Sequence, residues 1–184
     1  MVEAITFITG NPKKVVEVEK YLSISLNHTR LDLAEIQSID LAEVVSHKAK
    51  EAYRLINSPV LIEDVSLSFG ALNGTLPGPF IKWFLEEIKV EGLIKMLEGN
   101  QDRRAIATVC YGLYDGKALQ TFMASINGKI SEKILQGEWD FGFNTIFIPD
   151  GYTTSWSQMN EREQFETSFR RLALEKLEKY LNEK

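Results

Sequence analysis

The chain has 184 residues, 44% of them hydrophobic and 26% charged, with a formal net charge of −5. That balance fits a globular protein with one sizeable core, so a single domain over residues 1–184 is expected. It argues against a general polynucleotide binder, although a few cations focused in one cleft still suit a phosphorylated small molecule. No apolar run approaches the roughly 20 residues of a membrane span. The N-terminus has no basic region followed by a long apolar segment, so no secretory signal is expected. Cys110 is the only cysteine, which excludes an intrachain disulfide or a cysteine metal cluster and makes a cytoplasmic location the expectation.

Ala4 to Ile8 reads as a buried strand. Asn11 to Leu22 reads as a helix: Asn11 can cap it, Pro12 suits its first turn, and Val15, Val18 and Leu22 share a face. A short strand is expected near Leu31 and Leu33. A second helix starts at Asp40, with Glu43 as a capping-box partner, and runs to about Ile56. Val60 to Ile62 reads as a buried strand ending at Glu63-Asp64. Residues 73–79 form a turn-rich loop, and two helices follow near 80–87 and 91–98. Ala105 to Tyr114 and Ala118 to Ile126 flank Asp115-Gly116 as a β-hairpin. Thr145 to Ile148 is a short strand. The last helix begins near Asn160 and continues almost to the end. Alternating strands and helices followed by a hairpin indicate a mixed α/β sheet.

Four features can carry chemistry. Thr9-Gly10-Asn11 joins a strand to a helix, which leaves free backbone donors at a positive helix end beside Lys13 and Lys14. That arrangement suits a phosphate, or it is simply a capped helix with solvated lysines. The spacing is not that of a Walker loop. Glu63 and Asp64 are adjacent in a strand, so only one of them easily faces a given cleft. An acid there can hold a divalent cation or activate water, or it is a plain turn acid. Lys48 falls within the apolar stripe of its helix, so it either snorkels to the rim or reaches a cleft holding an anion. Glu35, just upstream, is a metal ligand or an exposed loop acid. Finally, Trp139 to Asn144 places rings beside a glycine and an amide, which can stack on a base or be core; Ser168 and Arg170 on the last helix can approach the same place.

Together, Thr9-Gly10-Asn11 with Lys14, Glu63-Asp64, Leu76-Pro77-Gly78-Pro79-Phe80-Ile81-Lys82-Trp83-Phe84, Asp140-Phe141-Gly142 and Pro149-Asp150-Gly151 resemble the inosine triphosphate pyrophosphatase family over nearly the whole chain. The resemblance implies an elongated mixed β-sheet with flanking helices, forming two lobes around a central nucleotide cleft, usually in a homodimer. It implies Mg²⁺-dependent hydrolysis (Mn²⁺ is an alternative) of deaminated purine nucleoside triphosphates such as ITP, dITP and XTP to the monophosphate and pyrophosphate. No nucleic-acid or membrane partner is implied. Carried over by position, Thr9, Gly10, Asn11, Lys13 and Lys14 would cradle phosphates, and Glu63 would be a further substrate-binding residue. Glu35 and Asp64 would hold the metal, Asp64 serving also as general base. Lys48 would contact the triphosphate and Lys82 would approach the nucleotide. Phe141, Gly142, Phe143 and Asn144 would wall the base pocket, and Gln164, Ser168, Phe169 and Arg170 would close it.

The departures lie at the base pocket. Asn144 stands where the family has Asp, Ser168-Phe169-Arg170 where it has Ser-His-Arg, and Gln164-Phe165 where it has a lysine and an asparagine. Arg170 could donate to a 6-keto oxygen, while Asn144 both donates and accepts, so base discrimination could differ. The same chemistry on a broader set of nucleotides, or nucleotide binding with little catalysis, are the alternatives.

Overall fold

The computed structural model describes residues 5–183; Ala4 and the side chain of Lys13 lie outside that description. Strand β1 (Thr6–Ile8) lies between two parallel partners, β2 (Asn27–Thr29) and β3 (Val60–Phe69). Thr6, Phe7 and Ile8 pair in register with Asn27, His28 and Thr29 on one side and with Val60, Leu61 and Ile62 on the other. Such parallel strands are buried on both faces, and β1 accordingly has no exposed residue. The seven-stranded sheet runs in the order β2-β1-β3, then β5 (Arg104–Tyr114), β6 (Leu119–Ile130) and β7 (Phe147–Pro149). The two-residue β4 (Pro77–Gly78) pairs antiparallel with β3. The expected mixed α/β sheet is therefore present.

Two compact units form from discontinuous segments. One takes the chain up to Asp64, Val109–Ala124 and Arg170 onward; the other takes Val65–Thr108 and Ser125–Phe169.

In the first unit, helix α1 (Pro12–Leu22) buries Val15, Val18 and Leu22. Its proline at the first position forgoes only an N–H that would have had no partner. Helix α2 (Leu41–Ile56) is capped by Asp40, whose Oδ1 accepts from the amides of Ala42 (2.8 Å) and Glu43 (3.3 Å). The expected reciprocal bond from Glu43 is not made: Glu43 takes the Ser38 hydroxyl, and Ser38 Oγ accepts from the Asp40 amide. α2 packs Leu41, Val45, Ala49 and Ala52 against Ile8, Val60, Ile62 and Cys110, each large aliphatic contributing about 1.5–3 kcal/mol on full burial. Leu55, in the last turn of α2, is exposed. No strand forms at Leu31 and Leu33; both pack irregularly against the same core. At the tip of the β5–β6 hairpin, Asp115 accepts from the amides of Lys117 and Ala118.

In the second unit, α3 (Ile81–Glu87) and α4 (Lys89–Lys95) bury Ile81 and Leu93. Arg103 spends its guanidinium on the carbonyls of Ile130, Leu97 and Ser131. Trp156 stacks between Phe147 and Phe169, with ring centroids 4.3 Å and 5.1 Å away. Where β6 meets β7, Gly128 allows a close approach, since a Cβ there would lie 2.3 Å from the Ile148 carbonyl oxygen.

The expected single last helix is two: α5 (Glu161–Glu166) and α6 (Phe169–Asn182). Thr167 causes the break. Its hydroxyl lies 2.8 Å from the Glu163 carbonyl and accepts the Trp156 indole N–H at 2.9 Å, which fixes the backbone between the helices. Among the described residues, no helix is long and apolar enough to cross a membrane.

Candidate active site

Glu63 and Asp64 were expected at the end of a short strand. β3 instead runs on to Phe69 and holds both in its interior. Side chains alternate along a strand, so Asp64 shares the α2 face with Val60 and Ile62, and Glu63 points to the opposite face. Each acid collects its own basic partners within the first unit.

On the α2 face, Lys48 Nζ donates to Asp64 Oδ2 and to Glu35 Oε1, each at 3.0 Å. Lys48 thus reaches a polar rim from an apolar stripe, carried there by its long stem. Burial works against its charge, but Asp64 and then Glu35 outweigh this and hold the ammonium above its ordinary pKa. Glu35 sits on the irregular segment before α2, which is anchored by the Ala34 amide donating to Glu51 at 3.0 Å. Two carboxylates converge on one cationic centre. That oxygen-donor pair fits Mg²⁺, which takes one or two carboxylates and fills its other positions with water or phosphate. Among the described residues, no group of three His, Cys, Asp or Glu side chains is placed to hold a metal.

On the opposite face, Glu63 is buried, its side chain 2% exposed. Its Oε1 accepts from Lys14 Nζ at 2.9 Å and from Arg170 Nε and Nη2 at 3.2 Å; its Oε2 accepts from the Tyr111 hydroxyl at 2.8 Å. Burial alone would raise the carboxyl pKa. Arg170, then Lys14 and Tyr111, overcome that and hold it at about 2. The guanidinium of Arg170 and the phenol of Tyr111 both shift upward.

At the junction of β1 and α1, the Asn11 amide donates to Thr9 Oγ1 at 3.1 Å and the Lys14 amide to the Asn11 carbonyl at 3.1 Å. The first turn of α1 has no acidic residue, so the positive end of its dipole is not offset. A Cβ at Gly10 would lie 3.2 Å from Arg30 Cδ, which brings another cationic side chain alongside this turn.

The remaining expected site residues belong to the second unit. Lys82, at the start of α3, is exposed, with its ammonium 4.9 Å from the Trp83 ring centroid. Phe141 is 59% exposed, Gly142 has φ of +59°, and Phe143 is buried against Phe147 and Trp156. Asn144 Nδ2 donates to the Trp139 carbonyl at 3.2 Å and Gln164 Nε2 to the Trp156 carbonyl at 2.8 Å. Phe169 is buried on Trp156, and Ser168 is half-buried between α5 and α6.

Tyr111 and Arg30 were not singled out from the sequence. For Tyr111 a signal existed: a tyrosine inside a strand as apolar as β5 must satisfy its hydroxyl, and an acid on a neighbouring strand is a natural acceptor. For Arg30 nothing local to the sequence marked its approach to Gly10.

A parallel strand turning through Thr-Gly-Asn into a helix, beside two acid-centred clusters of lysine and arginine, describes a phosphate-handling α/β protein. The chain belongs to the Ham1 family, whose profile matches residues 5–180. It is 40% identical over 186 residues to the inosine triphosphate pyrophosphatase of Yarrowia lipolytica, covering 98% of this chain and 97% of that one. It is 42% identical over 175 residues to inosine triphosphate pyrophosphatase 2 of Trypanosoma cruzi, covering 92% and 88%. In fold it is similar to the Ham1 protein of Staphylococcus aureus, with a TM-score of 0.85, 22% identity and 98% of each chain covered. The HAM1 protein of Coxiella burnetii gives a TM-score of 0.87 at 22% identity, covering 99% of this chain and 100% of that one.

Proposed function

We propose that this protein is a nucleoside triphosphate pyrophosphatase that hydrolyses deaminated purine nucleotides, ITP, dITP and XTP, to the monophosphate and pyrophosphate, with Mg²⁺ as cofactor. The names of its relatives support the reaction. The observation that carries it is the placement of Lys48 3.0 Å from both Glu35 and Asp64. A triphosphate carries about four negative charges near neutral pH, and they must be offset before water can approach phosphorus.

In this reading, Asp64 accepts a proton from water as the water oxygen bonds to the α-phosphorus. The bond from that phosphorus to the bridging oxygen breaks, and pyrophosphate leaves with the electron pair. Glu35 and Asp64 would hold the Mg²⁺, whose chemistry when bound is to offset phosphate charge and stabilise the leaving pyrophosphate. Lys48, 3.0 Å from both acids, would offset charge on the phosphate oxygens beside them. Lys14 and the turn at Thr9 to Asn11 hold the outer phosphates at the positive end of α1. For Lys82, Phe141 to Asn144 and Ser168, contact with the nucleotide is what the family resemblance implies. A homodimer and a cytoplasmic location complete the proposal, the first checked by light scattering on the purified protein.

The test is a panel of ITP, dITP, XTP, ATP, GTP and pyrimidine triphosphates with Mg²⁺, read as pyrophosphate release and compared by kcat/KM. ITP and XTP are expected to lead. Release of no pyrophosphate from any of them ends the enzymatic reading. A flat profile across bases replaces it with a broad-specificity pyrophosphatase.

A further inference from the structure

Glu63 stands one residue from the proposed general base, yet its environment denies it any direct part in the reaction. It is 2% exposed, and both of its oxygens already accept bonds from side chains of the protein. A carboxylate so enclosed cannot reach a metal or a solvated phosphate. What it does reach is informative. Lys14 comes from the first turn of α1, Tyr111 from β5 and Arg170 from the first turn of α6, so one buried anion ties three elements to β3. An ammonium carries three donors, and the bond to Glu63 uses one of those on Lys14. The Lys14 side chain remains 24% exposed, so it is held by Glu63 and still partly reached by solvent.

We infer that Glu63, oriented by the Tyr111 hydroxyl, is a positioning residue that holds the Lys14 ammonium at the entrance to α1, where the triphosphate is to be gripped. The inference rests on the proposed function only in taking Lys14 as a phosphate contact. A long lysine stem has substantial rotamer entropy to lose on binding. Held in place beforehand, Lys14 loses little of it when the ligand arrives, so affinity gains without any new contact to the ligand. Arg170, on the same oxygen, is itself paired with Glu63 and braces it from α6.

A merely structural ion pair would show the same burial, so the test must separate the two roles. Glu63→Gln, Lys14→Ala and the double variant, each checked for native circular dichroism, are titrated with inorganic tripolyphosphate in the presence of Mg²⁺, and ITP hydrolysis is measured alongside. Glu63→Gln is expected to weaken tripolyphosphate binding about tenfold when Lys14 is present and less than about twofold when Lys14 is alanine. In hydrolysis its KM for ITP should rise while kcat changes by less than about threefold. Tyr111→Phe should move both quantities the same way by a smaller factor, and it carries the cycle if Glu63→Gln does not fold. Equal losses in both Lys14 backgrounds, or no loss in either, would overturn the positioning role. If the wild type hydrolyses ITP but shows no such coupling, this inference alone falls. If it binds tripolyphosphate with coupling but releases no pyrophosphate from any nucleotide, the catalytic reading alone falls. Failure of the wild type both to bind tripolyphosphate and to release pyrophosphate from ITP removes both.

Discussion

Glu63 and Asp64 share a peptide bond but face opposite sides of β3: Asp64 pairs with Lys48 on the α2 face, and Glu63 pairs with Lys14 and Arg170 on the other. The alternation of a β-strand thus separates two acids into different electrostatic settings, one enclosed and charged at neutral pH, the other 22% exposed and within reach of solvent. Their replacement should therefore have different consequences.

Asp64→Asn keeps the shape of the side chain and removes its basicity. Turnover of ITP is expected to fall by about 10²–10⁴-fold, with thermal melting close to wild type because the side chain is not fully buried. Turnover within tenfold of wild type would remove Asp64 from the role of base.

Lys48→Met should act in opposite directions on metal and on nucleotide. Without the ammonium, Glu35 and Asp64 lose the cation that both contact at 3.0 Å, so nucleotide-free protein should bind Mg²⁺ about tenfold more tightly. ITP hydrolysis should weaken, since one offsetting charge on the triphosphate is gone. Calorimetric Mg²⁺ titration and steady-state kinetics on the same preparation check both signs.

The pH dependence of stability should carry the mark of Glu63. Its carboxyl is held at about 2 in the folded state against an ordinary value of 4.5. A depressed folded pKa stabilises fully above the unfolded value and is lost as pH falls from about 4.5 toward 2, by roughly 3 kcal/mol in all. Wild type should therefore lose stability over that window more steeply than Glu63→Gln, whose amide does not titrate. Urea unfolding at pH 6 and pH 3 measures the difference; parallel losses would contradict it.

Phe169→His restores the residue typical of the resembled family, but here the side chain is 5% exposed and stacked on Trp156 with an interplanar angle of 17°. A histidine in that apolar stack leaves ring nitrogens unpaired, at a cost of about 1–3 kcal/mol. Thermal melting should fall by several degrees while the order of preference among bases stays as in wild type. A new base preference with unchanged stability would mean the ring faces the nucleotide.

Much of this arrangement was legible from local pattern. The strand-turn-helix at Thr9 to Leu22, the cap at Asp40 and the hairpin around Asp115 depend on neighbours in sequence, and each formed close to where periodicity and turn chemistry placed it. Lys48 was marked because a cation inside an apolar stripe calls for a partner, and it has two. The missed features depend on distant contacts. The break between α5 and α6 comes from the Trp156 indole meeting Thr167, eleven residues away. The extension of β3 through Glu63 and Asp64 depends on charges from α1, α2 and α6, which make polar residues tolerable inside a strand. Tyr111 meets Glu63 across 48 residues, a pairing that no local window contains.

Cys110 sits in the core beneath α2 with no exposed surface, and burial, with Asp64 and Asp40 nearby, pushes its thiol up to about 12. The reactive thiolate is thus all but absent at physiological pH. The protein should withstand prolonged storage without reductant, neither cross-linking nor losing its function through its thiol. The single sulfhydryl of this pyrophosphatase is thus withheld from oxidants in its surroundings.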